Sequence, residues 1–309
     1  MKDLEEKAAI SIVIPTYRRE SVLLDTVSYL LELRPSAAEI LIIDQTERHE
    51  AATLAVLHEW QAQQKIRWIQ LPRPSITHAM NQGLQLANTE LLLYLDDDII
   101  PDPALLAAHL AAQSEPGCNI VAGQVLQPGE EVATETADGS GFLFRSSRRC
   151  WITELMGGNF SVKRKTALTL GGFDENFVRV AYRFEAEFSD RALSAGERIL
   201  FEPGASIRHL RAASGGTRSY GHHLTTVKPS HAVGAYYHLL RARQVRHRFF
   251  KMLARFFRSV YTRHHLRHPW WIPGTLLAEL LGFLWALRLV AGGAKLLESG
   301  VTGSTEVAR

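Results

Sequence analysis

Leu91-Leu92-Leu93-Tyr94-Leu95-Asp96-Asp97-Asp98 decides how this chain is read, because five apolar residues run straight into three aspartates. A short unbroken apolar run marks a strand buried on both faces. Three adjacent carboxylates repel one another, so in a partly dry crevice at least two need a counter-charge. A hard divalent cation, Mn2+ or Mg2+, supplies it through carboxylate and phosphate oxygens. A solvated acidic turn before Pro101 is the plainer alternative.

Working outward, the same pattern recurs upstream. Ile10-Ser11-Ile12-Val13-Ile14 is stopped by Pro15, Ile40-Leu41-Ile42-Ile43 ends on Asp44, and a further run covers 66–71. Helical spacing fills 20–33, 50–63 and 76–87. Alternation of this kind predicts βαβ units and a buried parallel sheet. Ligands of such sheets bind at the carboxyl ends of the strands, where Thr16, Arg18, Arg19, Asp44 and the three aspartates fall. Asp44 is placed either to accept bonds from a nucleobase or ribose or to cap the next helix. Residues 128–148 read as an irregular loop, and a mixed region follows to about 210. Segment 211–235 reads as a mobile loop. Within it Arg211 and Arg218 flank Ser214-Gly215-Gly216-Thr217, which suits a lid over a diphosphate or an exposed basic loop. The histidines 222/223 and 264/268 lack a third zinc ligand nearby. No GxGxxG, GxxxxGK[ST] or GxSxG occurs.

Among 309 residues, 46% are hydrophobic and 22% charged, which excludes a disordered or fibrous chain. Cys118 and Cys150 form no CxxC pair and suit a reducing compartment. The opening MKDLEEKAAI is acidic where a signal peptide is basic and apolar, so a cytoplasmic location is expected. The net charge of +3 hides an asymmetry: residues 1–203 carry 19 Lys+Arg against 29 Asp+Glu, and residues 204–309 carry 16 against 3. A basic final third points to an anionic partner. In 241–268, Phe249, Leu253, Phe256 and Val260 share one helical face, while Arg248, Lys251, Arg255 and Arg258 share the other. That is a basic amphipathic helix suited to an anionic membrane surface; nucleic acid is not expected, since no RNA-binding module accompanies it. Trp270-Trp271 and Pro273 open an apolar stretch to about Leu297, broken by Glu279, Arg288 and Lys295. It reads as an in-plane, monotopic attachment at the inner face of the cell membrane. A packed helical hairpin, an oligomer interface and a true span are the alternatives.

Taken in order, several motifs resemble family 2 glycosyltransferases, inverting nucleotide-sugar enzymes with the GT-A fold. Ser11-Ile-Val-Ile-Pro-Thr-Tyr-Arg-Arg19 is similar to the family's opening strand and nucleotide loop, and Ile42-Ile43-Asp44 to its second strand. Leu95-Asp96-Asp97-Asp98 resembles the metal-binding DxD. Gly157-Gly158-Asn159-Phe160-Ser161, Arg164 and Gly171-Gly172-Phe173-Asp174 resemble the central stretch around the sugar and acceptor. Arg191, Ala195-Gly196, Pro203 and His209 resemble the closing helix, strand and metal-side histidine. The resemblance implies an α/β GT-A mixed sheet flanked by helices over 1–235, with a helical, membrane-associating extension over 236–309.

It also implies roles for particular residues. Asp98 and His209 would hold Mn2+ or Mg2+. Pro15, Thr16, Tyr17, Arg19, Asp44, Asn81, Asp96 and Asp97 would hold a nucleotide-diphospho-sugar donor, UDP-linked in preference; Arg211 and Arg218 join them only through the loop chemistry given above. Gly158, Asn159 and Glu187 would shape the acceptor and sugar pocket. The family's asparagine after Pro-Thr-Tyr is Arg18 here, its Arg-Asn reads Met80-Asn81, and its Glu-Asp pair reads Phe184-Glu185. By that register Glu185 takes the general-base position, with Asp190 as a competitor. Glu187, two residues on along a helix, cannot share its face. The implied acceptor is a saccharide or lipid-linked hydroxyl, in envelope polysaccharide or glycolipid synthesis. A nucleotidyltransferase and a non-catalytic membrane binder remain the other classes.

Overall fold

The structure is a computed structural model describing residues 7–139, 141–242 and 247–298. The N-terminal residues 1–6, on which the signal-peptide reading rests, and 299–309 of the extension lie outside the described residues. In chain order the elements are β1 (Ala8–Thr16), α1 (Ser21–Glu32), β2 (Ala37–Asp44), α2 (Ala51–Ala62), β3 (Arg67–Gln70), α3 (Ile76–Leu86), β4 (Leu91–Leu95), β5 (Ile99–Pro101), α4 (Leu105–Gln113), β6 (Ile120–Leu126), β7 (Cys150–Ile152), β8 (Asn159–Lys163), α5 (Arg164–Thr169), α6 (Phe184–Ser194) and β9 (Ile199–His209). The basic third adds α7 (Ala232–Arg241), α8 (Arg248–Arg258), α9 (Arg263–Arg267) and α10 (Ile272–Ala291).

One sheet carries the fold, in the order β3-β2-β1-β4-β8-β6-β9-β5, with β7 on β9. The first four strands are parallel; β1, β2 and β4 carry the unbroken apolar runs, with Ile10, Ile12, Val13 and Leu93 fully buried, and the edge strand β3 is half-exposed. Beyond β4 the sheet is mixed: β8 runs antiparallel to both β4 and β6, while β6 and β9 are parallel. This brings the ends of β1, β2, β4 and β9 and the start of β8 to one edge. Thr26 of α1 exchanges hydrogen bonds with both the N–H and the C=O of Ile99 (3.0 and 3.1 Å), which pins the chain just after the aspartates.

Against the sheet, Phe160, Phe173, Phe184 and Phe188 pack with Tyr94, and the same apolar cluster takes in Val233, Tyr236 and Tyr237 of α7. Next, α10 lies on α7 through small residues: a Cβ on Gly282 would stand 2.6 Å from Ala232 Cβ. Residues 293–297 then return to the Gly171-Gly172-Phe173-Asp174 turn, where Leu297 N–H donates to Gly171 O (2.8 Å) and Lys295 N–H to Asp174 (2.9 Å). Segment Pro269–Ala291 is long and apolar enough to cross a membrane, with little of it buried in the protein.

Candidate active site

At the convergent edge lies an open cavity of about 530 Å3, lined by the β1 loop, the three aspartates, residues 154–158, residues 179–186, His209 and the 216–220 turn. Asp96 faces it. Close approach is the reason residue 158 is glycine: a Cβ there would stand 2.2 Å from Asp96 Oδ2. Behind it, Asp97 is buried, accepting from Thr16 Oγ1 (2.7 Å) and Arg19 Nε (3.0 Å). Asp98, also buried, accepts from Ala212 N–H (2.7 Å) and Arg19 Nη2 (3.3 Å). One strand over, β9 pairs Ile99 with His209 and so brings the imidazole to the acids. His209 Nε2 is 3.1 Å from Asp98 Oδ1 and 3.7 Å from Asp96 Oδ2.

The ligand atoms of Asp96, Asp98 and His209 lie within 4.8 Å of one another, and two carboxylates with one imidazole suit a hard divalent cation. The fit extends outward, because His209 Nδ1 is tied to Gln127 Oε1 (2.9 Å) and the opposite nitrogen is left toward the acids. Charge balance is written into the cluster. Burial, with the charge of Asp98, raises the Asp96 carboxyl above its usual range despite His209 and Arg19. Burial pushes Asp97 up to about 6. Burial also acts on Asp98, but the His209 and Ala212 hydrogen bonds and the Arg19 charge outweigh it and hold this carboxyl low. Burial alone would lower His209; the Asp98 hydrogen bond and both acids raise it instead.

Glu185, in the first turn of α6, lines the same cavity and is half-buried. Desolvation and the nearby Asp96 charge push its carboxyl up to about 7, against the pull of Arg183 and of the backbone N–H groups of Glu185 and Gly157. Two residues on, the helix turns Glu187 away, into an ion pair with Arg191 (2.7 Å). Asp190 faces α7 and pairs with His238 (2.9 Å). The 214–220 segment packs down on the loop after β1: Gly216 N–H donates to Tyr17 O (2.7 Å), Arg19 donates to Ser214 O, and the Tyr17 and Tyr220 rings stack at 6.4 Å.

Of the residues singled out in the sequence, Pro15, Thr16, Tyr17, Arg19, Asp96, Asp97, Asp98, Gly158, Glu185, His209 and Arg218 meet at this cavity. Five do not. Asp44 is fully buried, and its oxygens are taken by Thr46 N–H, His49 and Trp68 Nε1 (2.6–2.9 Å). Its neighbour Gln45 lines the cavity in its place. Asn81 is spent on both backbone groups of Phe173, at 2.8 Å each, and on Glu175. Asn159 points to the far face, bonding His109 and the carbonyls of Gln124 and Ala205. Glu187 is held by Arg191. Arg211 is exposed, and its carbonyl accepts from Arg218. Sequence reasoning missed Gln127, Tyr220 and Arg183; only Arg183, two residues before Glu185, carried a usable positional signal.

Residues 11–170, just over half of the chain, match the family described as Glycosyl transferase family 2. No curated protein matches the chain. Among solved structures, the mannosyltransferase PcManGT from Pyrobaculum calidifontis, determined with GDP-Man and Mn2+, is 18% identical over 93% of this chain and 80% of that one, at a TM-score of 0.55. GalNAc-T7, determined with UDP, GalNAc and Mn2+, is also 18% identical, over 67% of this chain, at a TM-score of 0.56. This chain covers 44% of that structure.

Proposed function

The chain belongs to glycosyl transferase family 2 and is a glycosyltransferase of GT-A fold; from that premise we propose that it transfers a sugar, with inversion and with a divalent metal, from a nucleotide-diphosphate donor to a hydroxyl acceptor. A single observation carries this reading: Glu185 and the Asp96/Asp98/His209 cluster open into one cavity. When bound, Mn2+ or Mg2+ at that cluster would offset the charge of the donor diphosphate as a Lewis acid.

The protein's own residues do the rest. Arg19 and Thr16 hold Asp97 and Asp98 in place. The 214–220 segment covers the nucleotide end against Tyr17. Glu185 takes the proton of the acceptor hydroxyl as the acceptor oxygen bonds to the anomeric carbon. The bond from that carbon to the diphosphate oxygen breaks, and the nucleoside diphosphate leaves on the opposite face. Help from such a base is worth ~10²–10⁴-fold.

UDP and GDP-Man in the fold relatives make UDP- and GDP-sugars the first donors to try. The acceptor is a saccharide or a lipid-linked sugar of the cell envelope. We place the enzyme on the cytoplasmic side of the membrane, attached in plane through α8 and α10. The exposed Phe249, Phe250, Leu253 and Phe257 of α8 support this attachment, and free Cys118 and Cys150 fit a reducing compartment. The test is sugar transfer from a panel of nucleotide-sugars with Mn2+, with the anomeric configuration of the product read by NMR. Inversion of configuration is expected; a retained configuration, or no transfer from any donor, contradicts the reading.

A further inference from the structure

A second cavity, about 1020 Å3 in volume, lies behind the first, between the start of α6 and helices α7, α8 and α10. Its cations are Arg183, Lys228, Lys251, Arg255 and Arg258. Its one acid, Glu279, is 6% exposed and already answered by Arg255 at 3.1 Å. Among the described residues the other four cations make no salt bridge, and the buried Arg255 Nε has no hydrogen-bond partner. All four are exposed to solvent, Arg183 also acts on Glu185, and Glu279 Oε2 beside Arg255 is likewise without a partner. What points to a ligand with several anionic oxygens is five cations against one acid around a single cavity.

Two further features identify its owner. Tyr182 and Arg183 line both cavities, and Glu185 stands two residues beyond. This shared wall is held in left-handed backbone at Arg179, Ala181 and Arg183 (φ 64, 52 and 76°), a conformation that non-glycine residues keep only where the surroundings impose it. On the opposite rim, Phe250 lines the cavity while 66% exposed, and the exposed Phe249, Leu253 and Phe257 continue from it along α8. The basic face of α8 is therefore turned inward to the cavity, and its apolar face outward.

We propose that this cavity binds the phosphate or diphosphate of an amphiphilic acceptor, with the charged group among Arg183, Lys228, Lys251 and Arg258 and the hydrocarbon chain along the exposed phenylalanines of α8. The acceptor sugar would then reach over the shared wall toward Glu185. This assignment rests on the transferase reading of the first cavity, and it narrows the acceptor to a lipid-linked phosphate.

The test is calorimetric titration of the full chain with farnesyl diphosphate in the presence of a chelator, so that a metal-held donor site is silent. UDP with Mn2+ is titrated in parallel. Farnesyl diphosphate should bind, inorganic pyrophosphate at least ~10-fold more weakly, and farnesol not measurably. The double variant Lys251→Glu/Arg258→Glu should lose at least ~10-fold in farnesyl diphosphate affinity. It should keep native UDP–Mn2+ binding, which also shows that it folds. Equal affinity of native protein and variant overturns the proposal, as does absent farnesyl diphosphate binding while UDP–Mn2+ binds. Pyrophosphate binding as tightly overturns the amphiphilic part. If the variant keeps farnesyl diphosphate but leaves phosphatidylglycerol vesicles, the cations serve bulk lipid and the assignment falls. Native protein that binds farnesyl diphosphate but no UDP–Mn2+ supports this site and overturns the donor reading instead.

Discussion

Glu185 owes its chemistry to the start of α6, which half-buries a carboxyl beside Asp96. Only the ionised form takes a proton, so transfer should rise with pH through an apparent value of about 7 and then level off. Cation binding at Asp96 would weaken the repulsion and move that value lower. Glu185→Gln keeps the hydrogen bonds without the basicity, and should cut transfer by ~10²-fold or more while donor affinity barely moves. Asp190→Asn, on a residue already given to His238, should cost far less. The same carboxyl has a consequence for stability. Raised from 4.5 to about 7 in the fold, it binds more protons folded than unfolded between those values, so it destabilises increasingly as pH rises through them. Glu185→Gln should therefore raise the melting temperature above pH 7 and leave it nearly unchanged near pH 4.5; an equal shift at both sinks the assignment. In Gln127, whose side chain orients His209, Gln127→Leu should weaken Mn2+ affinity ~10–100-fold without removing a ligand. Gln127 was illegible in the sequence because β9 brings it to His209 across 82 residues. Asp44 stands at a strand end, the place of a ligand-binding residue, while in the fold it accepts from Thr46 N–H, His49 and Trp68 and its neighbour Gln45 lines the cavity.

Among the elements, β1, β2 and β4 were legible because strands buried on both faces read as unbroken apolar runs, and the helices between them carry the matching 3.6-residue spacing. The three-residue strands β5 and β7 were not, being shorter than any pattern, and the polar second half of β9 hid the strand that delivers His209. In α8 the two faces were legible, but the direction in which each points was not. Because the cations face the cavity and the phenylalanines face out, membrane attachment should depend mainly on the latter. Burying a Phe or Leu side chain is worth roughly 1.5–3 kcal/mol, so Phe249→Ser, Phe250→Ser, Leu253→Ser and Phe257→Ser together should weaken vesicle binding by ~10²-fold or more. Co-sedimentation that is insensitive to these four changes, or is abolished by high salt alone, argues against it. Packing of α7 on the 179–183 wall depends on Gly234, where a Cβ would stand 2.4 Å from Tyr182 O. Backbone cannot yield as a side-chain tip can, so Gly234→Ala should cost about 1–3 kcal/mol, read by denaturant unfolding.

Across the whole molecule, the acidic front and basic back seen in the sequence become two adjoining cavities. One is built on aspartates at the sheet edge, the other on cations between α7, α8 and α10, and the residues just before Glu185 form their common wall. Charge asymmetry in the sequence points to an anionic partner, but only the fold shows the cations gathered behind the wall that leads to Glu185. The central claim is that the front cavity holds a donor diphosphate through a cation on Asp96, Asp98 and His209. Calorimetric titration of UDP and GDP into the native protein, with Mn2+ and then with chelator, tests it most directly. Saturable binding with Mn2+ that is lost in chelator, and weakened at least ~10-fold by Asp98→Asn, is the predicted result. Equal affinity with and without the metal, or native affinity in Asp98→Asn, would contradict it.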